Sequence, residues 1–277
     1  MDFSDIINFS DYDQLIPLVL NSLWAGALLA LIGGLVGVFV MHRELSFAVH
    51  GISELSFAGA AVFLLFSLDV VFGAVFGSLL AAAIIAFLGD KARDRNSIVA
   101  VLMPFGLGLG ILALALYPGR AANKFGLLTG QIVAVDDPKL GAMVVIALVV
   151  LLTLAVIWRP LTFASLDQEV ARARGVNDRL LGIVFMMLLG LAVAGAVQIV
   201  GALLVLALLV TPAAAALRLT SSQLWVPVLS VTFALVSMVG GTLLALGGTL
   251  PISPYVTSIS FLIYLAARLV AKVRNGA

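Results

Sequence analysis

Uninterrupted apolar stretches alternate with short polar breaks along the whole chain. They run over about 15–40, 46–67, 70–89, 97–117, 140–158, 180–198, 200–218, 224–246 and 254–271. Most reach or exceed the roughly 18 residues that carry a helix across a bilayer. Lipid offers no partners for backbone N–H and C=O groups, so segments this apolar satisfy them internally as α-helices. Nine spans are expected on this count. The 180–218 stretch is ambiguous, because Gly201 barely divides its halves, and eight spans plus a re-entrant or broken segment fit as well. The expected fold is all-α, a polytopic bundle of eight or nine transmembrane helices forming a single domain over 1–277.

Composition supports this pattern. The chain is 63% hydrophobic and 10% charged, whereas a soluble domain is nearer 45–50% apolar and roughly 25% charged. There is too little polar surface to coat a water-soluble body. The net charge of +1 and the lack of any basic run longer than Lys91–Arg95 give nucleic-acid binding no support. Cysteine is absent, which excludes disulfides, thiolate metal sites and cysteine nucleophiles. The first fifteen residues carry Asp2, Asp5, Asp11 and Asp13 with no Lys or Arg, unlike a cleavable signal, so the first span is expected to remain.

Charge placement predicts the sidedness. With His42–Leu45 in the cytoplasm, all fifteen Lys and Arg residues but three (Arg120, Lys124 and Lys139) fall on the cytoplasmic side. The N-terminus is then outside and the C-terminus inside. Glycines four apart, at Gly33/Gly37, Gly73/Gly77 and Gly106/Gly110, predict close helix crossings within the molecule.

Almost all of the acids lie at span ends or in loops; Asp69 falls at the turn between the second and third spans. Glu54 is the exception, with His50 one turn away. Eleven residues beyond Arg43, at 1.5 Å each, put Glu54 roughly 16 Å deep, about halfway through a 30 Å hydrocarbon core. Ionisable side chains are costly there and mark function by default. In a helix, positions 50 and 54 share a face. Imidazole and carboxylate suit zinc, manganese or ferrous iron. One of each is half of a four-coordinate site, and two copies of the chain about a two-fold axis would complete it. The plainer alternative is a Glu54 bonded to His50 or a serine, rigidifying a kink. Ser46 and Ser53 add polarity to this segment and are candidates for lining a pathway, as is Gln198, for which an interhelical hydrogen bond is the competing role. Thr211-Pro212 predicts a bend in its helix.

After the fifth span, Ser165-Leu166-Asp167-Gln168 has the form of a capping box with Ser165 as N-cap, and Gly175 fits the position that closes a helix. Between them, a short polar helix over Leu166–Arg174 has Asp167 and Glu169 near its start and Arg172 and Arg174 at its end, as the helix dipole favours. It is too short to span and suits docking of a soluble partner or simple connection.

Three stretches carry a resemblance to a known family. They are Arg43–Phe47 continuing through Glu54–Gly59, Leu166–Asn177, and Ala196–Val205 continuing through Thr211–Ala216; shorter echoes lie at Asn96–Val99 and Gly126–Gly130. From about Leu28 to about Phe261 the chain resembles the permease subunits of the bacterial metal-ion ABC transporters that import zinc and manganese. The resemblance implies a single transmembrane permease domain in the bacterial cell membrane, carrying zinc or manganese, with iron as a further candidate, as cargo and no permanently bound cofactor. It implies a homodimer, two cytoplasmic ATPase subunits and an external metal-binding protein. It makes the stretch at 165–175, with Leu166, Asp167, Glu169, Arg172, Arg174 and Gly175, the segment that couples to the ATPase. The family usually has Asp-x-x-x-His where this chain has His50 and Glu54, so the donor types are kept and their order reversed. No Gly-x-x-x-x-Gly-Lys-Ser/Thr loop is present, and none of the four lysines follows a glycine, which assigns ATP hydrolysis to another subunit.

Two other readings compete. A permease for an organic chelate (siderophore, haem or cobalamin) would share the architecture without needing a buried His/Glu pair. An intramembrane metalloenzyme would need further ligands, and no His-Glu-x-x-His motif is present.

Overall fold

The computed structural model describes residues 12–89, 92–119, 135–246 and 251–275. Every regular element among them is helical. In chain order these are α1 (Tyr12–His42, including a 3-10 turn at Ile16–Val19), α2 (Ser46–Leu65), α3 (Val70–Leu88), α4 (Ala92–Leu116), α5 (Asp137–Leu166), α6 (Gln168–Ala173), α7 (Asp178–Val200), α8 (Val205–Leu209), α9 (Thr211–Leu219), α10 (Trp225–Ala245) and α11 (Ile252–Asn275). Eight of them, α1 to α5 with α7, α10 and α11, are long and apolar enough to cross a membrane. The chain is a multi-pass membrane protein with an all-α fold.

The ambiguous 180–218 stretch is one span followed by a broken segment, not two spans. Gly201 has φ +79° and ψ 161°, a conformation only glycine adopts readily, and it ends α7. A 3-10 turn at Ala202–Leu204 and the short α8 and α9 follow. Pro212 does not bend a continuous helix here. It sits in the first turn of α9, where its missing N–H costs nothing. The echo at Gly126–Gly130 lies outside the described residues.

Polar residues between spans cap the helices. Asp69 accepts from the Val71 and Phe72 amides at the start of α3, and Asn177 accepts from Leu180 N at the start of α7. The fifth span runs well past its predicted end at 158, through Arg159 and Pro160 to Leu166. Ser165 is therefore inside α5 and is not an N-cap: its hydroxyl donates to Leu161 O at 2.6 Å. Asp167 caps α6 instead, accepting from Val170 N at 3.0 Å. Gly175 does close the helix. At φ +84° it donates to Arg172 O while Val176 N donates to Ala171 O, the paired bonds of a Schellman cap.

Contacts divide the chain into two compact units. One is drawn from Met1–Val38, Gln131–Val145 and Leu206–Ala277. In it Ser230 Oγ donates to Gly34 O at 2.7 Å, Ser260 Oγ to Ala207 O at 2.8 Å, and Asn21 Nδ2 to Asp137 Oδ1 at 2.8 Å. These bonds join helices where lipid gives no hydrophobic drive for association. Glycines at 33 and 37 face the backbone carbonyls of Leu208 and Leu209 with no room for a methyl group.

The other unit is drawn from Phe39–Gly130 and Ile146–Val205. Here α2 packs on α3 and α4, and α7 packs on α3 and α2. A methyl group at Gly73 would meet Gly59 O, one at Gly77 Leu55 O, and one at Gly106 or Gly110 the Leu55 or Phe57 side chain. All three predicted glycine pairs thus serve packing within the chain. Two-thirds of the most apolar window of α2 is buried, against 28% for α4, which makes α2 an interior helix able to shelter polar side chains.

Candidate functional site

Helix α2 carries the candidate site. Burial nearly all round it includes Ser53, Glu54 and Ser56. Such polar groups in an apolar interior require partners, since an unsatisfied one costs about 1–3 kcal/mol. The two serines have them. Ser53 Oγ donates to Ala202 O at 2.9 Å, and Ser56 Oγ donates to Ala74 O at 3.0 Å.

Glu54 and His50 are different. The helix places them one turn apart, with His50 Nε2 3.9 Å from Glu54 Oε1. That is beyond hydrogen-bond range. Glu54 Oε2 and His50 Nδ1 are both buried and have no hydrogen-bond partner among the described residues. The carboxylate side chain is 7% exposed and the imidazole 29%, so the pair opens from its histidine side. Behind it α4 approaches closely, because the Cβ position of Gly106 would lie 3.1 Å from the Glu54 backbone.

Metal–nitrogen and metal–oxygen bonds of about 2.0–2.2 Å set donor atoms roughly 3.0–3.6 Å apart around one ion. A few tenths of an ångström of side-chain movement brings His50 and Glu54 to that spacing. The pair can share a divalent cation, and no cluster of three or more His, Cys, Asp or Glu occurs among the described residues. Two donors from one chain hold an ion loosely.

The other sequence candidates are distributed around this pair. Ser46 lies one turn before His50, its hydroxyl 3.5 Å from Met41 Sδ. Ser53 is fully buried and held by Ala202 O. Gln198 bonds the start of α3, its Nε2 3.4 Å from Val71 O, the interhelical role weighed from the sequence. Leu166, Asp167, Glu169, Arg172 and Arg174 are exposed on or beside α6, which anchors itself through the fully buried Ala171.

Sequence reasoning missed the partners of Arg43. Its guanidinium donates to Asp178 Oδ1 at 2.7 Å and to Ser165 Oγ at 3.1 Å. The contact spans 135 residues of sequence, and no local pattern announces it.

The chain is similar to the manganese transport system membrane protein MntC of Halalkalibacterium halodurans, 28% identical over 83% of this chain and 80% of that one. It is similar to the high-affinity zinc uptake system membrane protein ZnuB of Haemophilus influenzae, 24% identical over 81% of this chain and 86% of that one. A solved structure of PsaBC from Streptococcus pneumoniae in complex with Fab aligns with a TM-score of 0.83 at 25% identity, covering 95% of this chain and 97% of that one. The pattern of the ABC 3 transport family matches residues 15–271, which include all eight spans except the ends of the first and last. The chain therefore belongs to the ABC 3 transport family, as a membrane-spanning permease subunit, a transport component and not an enzyme.

Proposed function

We propose that this permease carries manganese or zinc into the cytoplasm, with His50 and Glu54 as transient ligands in the membrane. The observation that carries the reading is the pair of orphaned buried atoms, Glu54 Oε2 and His50 Nδ1, on side chains 3.9 Å apart. A membrane protein retains such groups where a passing ion meets them. The named relatives MntC and ZnuB transport manganese and take up zinc. This donor set accepts either ion, and also ferrous iron.

The permease works as a homodimer in which two copies of the pair face a shared passage and together provide four donors. An ion held by so few protein atoms leaves readily, as transport demands. The whole chain, 1–277, acts as one permease domain, with the N-terminus outside and the C-terminus cytoplasmic. Cytoplasmic ATPase subunits dock on the exposed face of α6, where Glu169, Arg172 and Arg174 supply charge, and an extracytoplasmic protein delivers the metal. Ser46 borders the pathway; Ser53 and Gln198 support it from behind. A chelate permease would have no use for an unpartnered imidazole and carboxylate.

Uptake of manganese(II) and zinc(II) by cells bearing His50→Ala or Glu54→Gln, with membrane insertion verified, tests the reading. Loss of uptake in both is expected. Wild-type uptake in both variants would end the assignment.

A further inference from the structure

Arg43 closes α1, and one residue pair later α2 begins. The Arg43 guanidinium holds Asp178 Oδ1 at 2.7 Å and Ser165 Oγ at 3.1 Å. The second Asp178 oxygen accepts from Gln168 Nε2 and lies 3.6 Å from Arg172 Nη2. Gln168 and Arg172 stand one turn apart on α6. One carboxylate is thus gripped from one side by the turn that leads to His50 and Glu54, and from the other by the exposed helix α6.

Exposure ranks these contacts. The Arg43 and Asp178 side chains are 13% and 11% exposed, whereas Arg172 is 64% exposed. Breaking the Arg43–Asp178 pair leaves a sheltered charge behind, while Arg172 adds the little that an open pair contributes. The turn after Arg43 is stiff. Glu44, at φ +54°, donates to Met41 O, and Leu45 N donates to Val40 O at 2.8 Å. A left-handed cap closed by two bonds satisfies the last carbonyls of α1 and sets the direction in which α2 leaves it. On the far side, the Schellman cap at Gly175 and the Asn177 cap join α6 to α7 in the same manner. A cavity of about 490 Å³ adjoins the network, lined in part by Arg43, Arg95, Gln168, Arg172 and Asp178, and gives α6 room to shift.

We infer that Arg43 is a positioning residue that couples α6 to the metal-bearing helix through Asp178. Displacement of α6 pulls on the shared carboxylate, and Arg43 converts that pull into a movement of the start of α2 and so of His50. This rests on the reading above, in which α6 docks the ATPase and α2 holds the ion.

The test uses the complete complex of permease and ATPase subunits in proteoliposomes, with manganese(II) as the probe. The single variants Arg43→Gln and Asp178→Asn, the two combined, and the charge-keeping Arg43→Lys are compared with wild type. Two quantities are read: manganese carried per ATP hydrolysed, and manganese bound at equilibrium by the solubilised complex. Each single variant is expected to lower ions per ATP about tenfold with binding within about twofold of wild type, the size of an ordinary allosteric coupling. The double variant is expected to lose no more than the worse single variant, and Arg43→Lys, which keeps a charge opposite Asp178, to recover most of the loss with binding unchanged. Unchanged ions per ATP in the single variants, binding lost in step with transport, or a double variant in which the two losses add in full overturns the inference. A wild-type complex that carries neither manganese(II) nor, in a parallel run, zinc(II) on ATP sinks the underlying reading instead.

Discussion

Ser53 donates to the Ala202 carbonyl over 2.9 Å, tying the helix that carries Glu54 to the point where the chain breaks after α7. The break interrupts the regular helical bonding at a buried place, and the adjacent serine supplies a donor there. Ser53→Ala removes this donor from Ala202 O. The expected result is a loss of about 1–3 kcal/mol in thermal or denaturant unfolding of the purified protein, with manganese affinity nearly unchanged. A large drop in affinity at unchanged stability would instead make Ser53 a ligand.

His50 and Glu54 reverse the order of the pair usual in the metal-ion permeases that this chain resembles. Exchanging them, with His50→Glu and Glu54→His together, keeps both donor types on the same face of α2. Since even outer-shell changes cost metal sites about 10–100-fold in affinity, each single ligand removal is expected to lower uptake at least tenfold. The exchanged double variant is expected to transport better than either His50→Ala or Glu54→Gln. Competition between manganese(II) and zinc(II) uptake in the three variants checks both statements.

Gly77 lets α3 approach the Leu55 carbonyl next to Glu54, whereas Gly108 and Gly141 face open space. Gly77→Val is expected to destabilise the protein by about 1–3 kcal/mol, as overpacking does, and to lower uptake through displacement of α2. Gly141→Ala is expected to be neutral or stabilising by up to about 1 kcal/mol. Unfolding midpoints in detergent distinguish them; equal effects at both sites would contradict the packing described.

Asp167 and Gly175 hold α6 at its two ends. Asp167→Ala removes the N-cap, at about 0.5–2 kcal/mol, and Gly175→Ala forces a side chain into a left-handed conformation at about 1–2 kcal/mol. Both are expected to weaken co-purification of the ATPase subunits while leaving metal binding by the isolated permease intact. Full-strength co-purification of both variants would show that α6 is only a connector.

Much of this architecture is legible from the chain alone. Lipid forces every apolar run to close its own hydrogen bonds, so the eight spans lie among the nine runs that hydropathy picks out, and the i, i+4 spacing puts His50 and Glu54 on one face of α2. Glycines four apart identify close crossings for the same local reason. The ends of the elements are less legible. Ser165 reads as a cap because nothing in the sequence says that α5 continues past Pro160, and Pro212 reads as a kink because the break at Gly201 depends on what packs beside it.

Tertiary structure alone decided which polar groups are already occupied. Ser53, Ser56 and Gln198 look as available as Glu54 in the sequence, yet backbone carbonyls at 202, 74 and 71 claim them. Only the fold leaves Glu54 Oε2 and His50 Nδ1 without partners, and only the fold brings Arg43 to Asp178. Hydropathy and helical period act between neighbours in the chain, so a sequence reports them. Hydrogen-bond satisfaction is settled by whichever backbone arrives from elsewhere, and that is known only once the helices have packed.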